Sequence, residues 1–580
     1  MRRVKMIVAI LFSVWIECAA QQSLEMESIL SVLGVTDPEE IDSYEYERLY
    51  DLLEHPLKIN LASQSELSSS GLFSRYQVAS FLDYRSRNGE VLSYMELAAV
   101  DGFTEEFVSL VRPFVSLYSI GLPGHPEKYH RSVRNDLAVK GAFKSGIPGE
   151  KEWNYGLKYR LKVGNMLSAA AAVSKAYGAE GASPDAFAGS VMPEARKFRG
   201  RILVGDYNAR FGQGLALWNG SMINSLTSPS AFMKKASGLS QSWSYTGSSA
   251  LTGVAGDIGL GQFVLSAFVD MPGLKDIKIK QYGEDILSDF NLAVRPGFNV
   301  AWQSRFGQLS VTHIMQAERV VPEMKTSADV AYCIRGVNIY GEASYDWVGR
   351  QYQILSGTDF RVCEGLRMAS LLRFYSDDLY GIAVSGAYDV KAHKGTFSVD
   401  TEYYPVPKSK DVDLSLQCKG QFNWEWQIID CLTFKMRVSE RLRTWGVNTR
   451  TDIRTDFCYA KDCISATARF NVLRCRGTSF VNYLEGGYKR NNLSVYARQG
   501  FFFVDNWDDR IYVYERDAPG SFNVPAMYGR GLWTSLVMAW RFASVGRLYA
   551  RASYTSYPFM PEEKKKPGKA ELKLQFVFRF

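Results

Sequence analysis

Two-residue alternation through the carboxy-terminal three-quarters of the chain is the feature that most limits its fold. From Trp153 to Val163 the odd positions are apolar or aromatic. The even positions are Asn154, Gly156, Lys158, Arg160 and Lys162. Leu432, Phe434, Met436 and Val438 alternate with Thr433, Lys435, Arg437 and Ser439, and Leu572, Leu574, Phe576, Phe578 and Phe580 alternate with their neighbours in the same way. A period of two places one set on each face of a β-strand. One face is apolar and rich in Tyr and Trp, and the other is repeatedly charged. That combination suits lipid against one face and water or packed polar groups against the other.

The mean hydropathy is −0.16, and no apolar run beyond residue 20 reaches the ~20 residues a membrane helix needs. A helical transporter is therefore excluded, whereas a membrane barrel averages out as polar and is not. Near the C-terminus short and long connections alternate, as they do between the two ends of a barrel. Residues 131–580, at about 20–25 per strand plus connection, predict an antiparallel transmembrane barrel of roughly 18–22 strands. A barrel that wide needs filling. The Ser- and Gly-rich stretch 212–245, with weak alternation and several bulky apolar residues, is expected to fold inward as a partial plug. The run ending at Phe580 also resembles the C-terminal assembly signal of outer-membrane barrels.

At the other end, Arg2, Arg3 and Lys5 precede the apolar run Met6 to Ile16, and Cys18-Ala19-Ala20 offers small residues for cleavage. Residues 1–20 therefore read as an export signal. Seven cysteines remain, an odd number that cannot pair completely within one chain. Cys458 and Cys463, on either side of an expected hairpin turn, are either a disulfide or two small buried side chains.

Charge divides the mature chain. The total is +7. Residues 1–20 hold +2, and residues 21–120 hold 17 acidic and 6 basic side chains, net −11, which leaves +16 for residues 121–580. An acidic module precedes a basic one. The acidic part divides into a helical segment, 21–57, a second helical unit, 58–118, and a linker, 119–130. Leu24 to Leu33 and Tyr44 to Leu53 have helical apolar spacing. Asp37-Pro38 reads as a cap followed by a first-turn proline. Between 58 and 118 a pattern of helix, short Gly turn and helix occurs twice, with turns at Gly71 and Gly102. The fold expected for the whole chain is thus α + β and multidomain, a small all-α module before a large antiparallel barrel.

Residues 58–116 resemble the paired helix-hairpin-helix module of competence-type DNA receptors. That resemblance implies a turn whose backbone N–H groups hold a DNA phosphate, making Gly71 and Gly102 candidate DNA-backbone contacts. Each turn departs from the pattern: Phe73 and Thr104 stand where the second Gly belongs. A module at −11 also repels a polyanion. Together with Gly205-Asp206-Tyr207, Phe211 to Leu215, Asp509 to Asp517, Val524 to Gly531 and the run His55 to Leu61, the module resembles uncharacterised Gram-negative outer-membrane proteins that place a periplasmic helix-hairpin-helix unit before a barrel. The resemblance implies an outer-membrane location with the module in the periplasm. It implies no activity.

Five scattered His residues and the absence of paired Cys-x-x-Cys, His-Glu-x-x-His, phosphate-loop or Gly-x-Ser-x-Gly motifs give no basis for an enzyme, a metal or a cofactor. The basic inward set, Lys158, Arg160, Lys162, Lys435, Arg437, Arg547 and Arg551, together with Lys573 and Arg579, is expected to face the lumen and attract an anionic solute. Asp206, Arg510, Glu515 and Asp517 are candidates for a polar network. The expected function is passage or binding of a solute or polymer, with the acidic module docked at the barrel mouth as a gate or as a platform for a periplasmic protein partner. Nucleic-acid binding or uptake is the alternative.

Overall fold

In the computed structural model, the described residues are 21–580 apart from 42, 119–132, 148–149, 165, 180, 193–198, 221–225, 246–248, 273, 275–293, 305, 317–322, 377, 411, 543–544 and 565. The expected signal 1–20 and nearly all of the linker 119–130 lie outside them.

Among the described residues, twenty-four strands form one closed antiparallel barrel. The count exceeds the 18–22 expected. Many connections at one end are only two residues long, for example between Ile334 and Val337, Cys363 and Leu366, or Lys461 and Ile464. Each strand plus turn therefore consumes less chain than assumed. The first and last wall strands, Val133–Ile147 and Lys569–Arg579, pair with each other. Beyond that ladder, the N–H of Asn135 donates to the Phe580 carbonyl (2.7 Å) and the N–H of Phe580 donates back to Asn135 (3.0 Å).

The wall alternates as its sequence does. Leu572, Leu574 and Phe576 are exposed on the outside, as are Ile339, Ile354, Ile382 and Trp540, while Tyr340, Leu355, Ala383 and Trp533 are buried on the inside. No described helix is long and apolar enough to cross a membrane. The continuous apolar outer face is the surface fitted to lipid. Rings gather near the short-turn end: Trp424 lies 6.0 Å from Trp426 and 5.8 Å from Phe434, and Phe434 lies 5.1 Å from Phe457.

Residues 21–118 form a helical module with its own apolar core, centred on Ile29, Leu49, Leu67, Leu72, Phe81 and Phe114. Its helices are α1 (Gln21–Leu33), α2 (Ser43–Glu54), α3 (Gln64–Ser69), α4 (Arg75–Asn88), α5 (Tyr94–Ala98) and α6 (Glu105–Val111). Ser63 and Ser74 begin α3 and α4 with reciprocal capping boxes to Glu66 and Gln77. Leu57–Lys58 pairs in parallel with Val115–Ser116 and so ties the two ends of the second helical unit together. The expected cap at Asp37 is different in kind. Asp37 precedes a short 3-10 turn, Pro38–Glu40, but its side chain caps nothing; it is committed to the barrel wall instead.

Candidate functional site: the plugged lumen

The module lies inside the barrel, and the mouth docking expected from charge is corrected to a position within the lumen. Its contacts run around the circumference. Glu47 pairs with Lys158, and Asp51 with Arg160 (3.0 Å). Ser65 donates to Asp257 (2.5 Å), and Gln64 to Gln303 (2.6 Å). Arg361 reaches Glu106 (2.6 Å). Asp37 pairs with both Arg437 and Arg454, and Glu39 pairs with Arg469 (2.9 Å). Glu54 meets Arg547 (2.5 Å) and Arg579 (2.9 Å), and the Tyr50 hydroxyl lies 3.2 Å from that of Tyr549. A body touching the inner face of so many strands fills the space they enclose.

Two inturned segments complete the filling from the end with long connections. Within residues 211–245, Phe232 packs against Tyr340, Leu355, Leu371 and Ala383 of the wall. Wall residue Glu342 accepts backbone N–H groups of Gln213 (2.6 Å) and Leu215 (3.1 Å). Within residues 505–528, Ile511, Val513 and Met527 pack on Phe502 and Trp533. The run Ile511-Tyr512-Val513 is the sequence signal that this long connection packs inward. Both segments touch the module. The N–H of Tyr514 donates to Glu39 (3.2 Å), Phe522 stacks near Tyr46 (5.2 Å), and Lys235 donates to the Val32 carbonyl (3.3 Å). Gly34, at φ +68°, is the close approach, because a Cβ there would lie 2.2 Å from Ser230 Oγ.

The basic wall residues read from the sequence are therefore largely neutralised. Besides the pairs above, Lys162 lies 3.9 Å from Glu66, Lys435 is 3.4 Å from Glu27 and 2.9 Å from Glu425, and Arg551 pairs with Glu515 and Glu571 (2.8 Å). Lys573 binds Asp517 (2.7 Å). These residues face the lumen, where the module's carboxylates and the inturned segments occupy their charges. The four-residue polar network is corrected. Glu515 and Asp517 join Arg551 and Lys573. Asp206, on the strand Arg199–Arg210, accepts instead from the Phe187 N–H (2.6 Å) and the Thr252 hydroxyl (2.5 Å), and half-buried Arg510 donates to Tyr512 (2.9 Å). Four wall strands separate the two places.

Cys458 and Cys463 carry free thiols. The turn falls at 462–463, so Cys458 faces Thr467 across the hairpin and the two cysteines are out of register. The hairpin turns of the module are also occupied. The N–H of Gly71 donates to Ser68, that of Leu72 to the Ser70 hydroxyl, and that of Phe103 to Val100. Arg48 lies over Gly71 and Tyr76 over Gly102. The Arg48 and Tyr76 side chains occupy the space a phosphate would need there. Among the described residues no cluster of His, Cys, Asp and Glu has a metal-binding arrangement.

Burial pushes the pKa of the module's carboxylates up, but neighbouring guanidiniums outweigh it. Arg437 and Arg454 hold Asp37 well below the usual carboxylate range. Arg48 and Arg210 bring Glu45 down to about 2, and Arg160 holds Asp51 low. A carboxylate depressed in the docked state contributes stability above its free value, 3.8 for Asp or 4.5 for Glu, and loses it as pH falls through the docked value. Docking should therefore be constant from about pH 8 to 5 and weaken only below about pH 4. Limited proteolysis of the module across that range checks this; release at pH 6 would contradict it.

No family model matches the chain, and no curated protein matches it. Among solved structures it is similar to the siderophore receptor PirA from Pseudomonas aeruginosa (6% identity, 78% of this chain and 82% of that one, TM-score 0.40). It is also similar to OccAB3 of Acinetobacter baumannii (10% identity, 77% and 99% coverage, TM-score 0.30). A third likeness is to the ferripyoverdine receptor of the outer membrane of Pseudomonas aeruginosa (8% identity, 78% and 73% coverage, TM-score 0.37). Identities at this level assign no family.

Proposed function

We propose that this protein is an outer-membrane barrel that binds or passes a solute and is held shut by its own acidic N-terminal module, which enters from the periplasm. The observation that carries the reading is the ring of carboxylate–guanidinium pairs joining the module to the inner wall. A ring of this kind fixes the module in one orientation, and most of its pairs are shielded from salt by burial. The short-turn end, where both wall termini lie, is the periplasmic end in this reading, because barrels carry short turns there. We assign the chain no catalytic role. Occupied turns and an acidic surface leave the nucleic-acid alternative without support.

Planar-bilayer recording tests the reading. The full chain should show little or no steady conductance. A chain lacking residues 21–118 should show large openings, because removing the module empties much of the lumen. Equal conductance from both would remove the gating role.

A further inference from the structure

Between the module and the wall lies a cavity of about 610 Å³. We propose that it is the binding site for a single small solute bearing one carboxylate and several hydroxyl groups; this inference rests on the solute-binding reading above and names its substrate class. The cavity is bounded by α3 and the start of α4 on one side and by the strands Arg199–Arg210, Leu251–Leu260 and Arg295–Ser304 on the other. Met166, Met192, Gly259 and Gln303 flank it toward the short-turn end.

One guanidinium in its lining has its hydrogen-bond donors to spare. Arg75, at the first position of α4, lines the cavity with its guanidinium over the Phe211 ring (5.3 Å). Among the described residues it makes no hydrogen bond, and no carboxylate oxygen comes within 4.0 Å of it. Asp329 and Glu342 act on it from beyond ion-pair distance, and neither accepts a hydrogen bond from it. Asp329 accepts from Ser310 and Gln308, and Glu342 accepts from backbone N–H groups of the inturned segment. The one carboxylate lining the cavity, Asp257, is neutralised by Arg201 (2.7 Å) and bonded by Ser65 (2.5 Å). A half-buried guanidinium whose five N–H donors make no hydrogen bond can take one negative group at close range.

The remaining lining selects hydroxyls. Ser68, Ser237 and Ser266 present hydroxyl groups to the space. In the Gln64–Gln303 pair, the amide N of Gln64 donates to the carbonyl of Gln303, which leaves one amide N–H₂ and one carbonyl for a ligand. Phe211 and Leu61 supply apolar walls against which a carbon chain can lie. A volume of this size holds one small molecule and no polymer segment.

Isothermal titration of the full-length, detergent-solubilised protein with sodium gluconate and with sorbitol tests the assignment, because the two probes differ chiefly in the carboxylate. Gluconate should bind at least about tenfold more tightly than sorbitol. Arg75→Gln should reduce gluconate to the sorbitol level, and Arg75→Lys should retain part of the preference. Heat-modifiable gel mobility monitors folding of each variant. No gluconate binding by the wild-type chain, equal binding of the two probes, or an unchanged preference in folded Arg75→Gln would each overturn the site. The titration requires no conduction, so its failure leaves the bilayer result to decide the plug reading separately.

Discussion

Replacing Asp37 by Ala should free the amino-terminal part of the module from the wall while the barrel stays folded. Asp37 is fully buried, and its two oxygens meet Arg437 and Arg454. Removing one partner of a buried ion pair costs about 3–5 kcal/mol, because the remaining charge stays desolvated and unpaired. Here two guanidiniums lose their shared carboxylate. Asp452 still holds Arg437 (2.8 Å), and Glu39 lies 3.4 Å from Arg454. Asp452 keeps Arg437 in place without any link to the module, and Glu39 retains a weaker link of the module to Arg454 and Arg469. Amide hydrogen exchange across α1 and α2 should accelerate by about a hundredfold to a thousandfold, at roughly 1.4 kcal/mol per factor of ten. Wall strands such as Thr449–Lys461 should keep their protection. Unchanged exchange in α1 and α2 would show that the Asp37 pairs do not hold the module.

Glu342→Ala should release the inturned segment 211–245 from the opposite side of the lumen. Glu342 is buried and accepts the N–H groups of Gln213 and Leu215, with Ala216 at 3.4 Å. Gly212, at φ +58°, leaves the room this grip requires, since a Cβ there would lie 2.7 Å from the carboxylate. Each buried donor left unpaired costs about 1–3 kcal/mol, so the loss of two well-formed bonds should cost about 3 kcal/mol locally. Both bonds fall on one oxygen, Oε2, so Glu342→Gln, which keeps one acceptor oxygen, should lose much less. A cysteine introduced at Phe232, which is buried against wall residue Leu355 in the wild type, should react with a thiol reagent faster in the Ala background. Equal reactivity in both backgrounds would place the segment's hold elsewhere, in the Phe232 cluster.

The wall was legible in the sequence because lipid and lumen impose a period of two. Trp153 to Val163 and the run ending at Phe580 declare both faces without any long-range information. The number of strands was less legible. It depends on turn length, and two-residue turns such as Arg335-Gly336 carry little signal beyond a glycine. The charge division, −11 against +16, pointed to an attraction between module and barrel. It could not distinguish the mouth from the lumen, because net charge has no position. The residues that decide the matter, Asp37, Glu39, Glu45 and Asp51 on one side and Arg454 and Arg469 on the other, look like ordinary solvated charges in sequence. The inturning of 505–528 was less legible. Ile511 and Val513 alternate as a wall strand would, and only the neighbourhood of Trp533 shows that they pack into the lumen.

The join between Val133–Ile147 and Lys569–Arg579 has a bearing on biogenesis. The cylinder is complete only once its final strand reaches its first, whereas the module precedes every wall strand in the chain. A wall that zips last can wrap around cargo already in place, and rows of guanidiniums facing inward would then find their counter-ions waiting. On this view the amino-terminal domain serves as a mandrel on which the tube is wound. Barrels wound without that domain should close their seam more slowly, and those that do close should conduct.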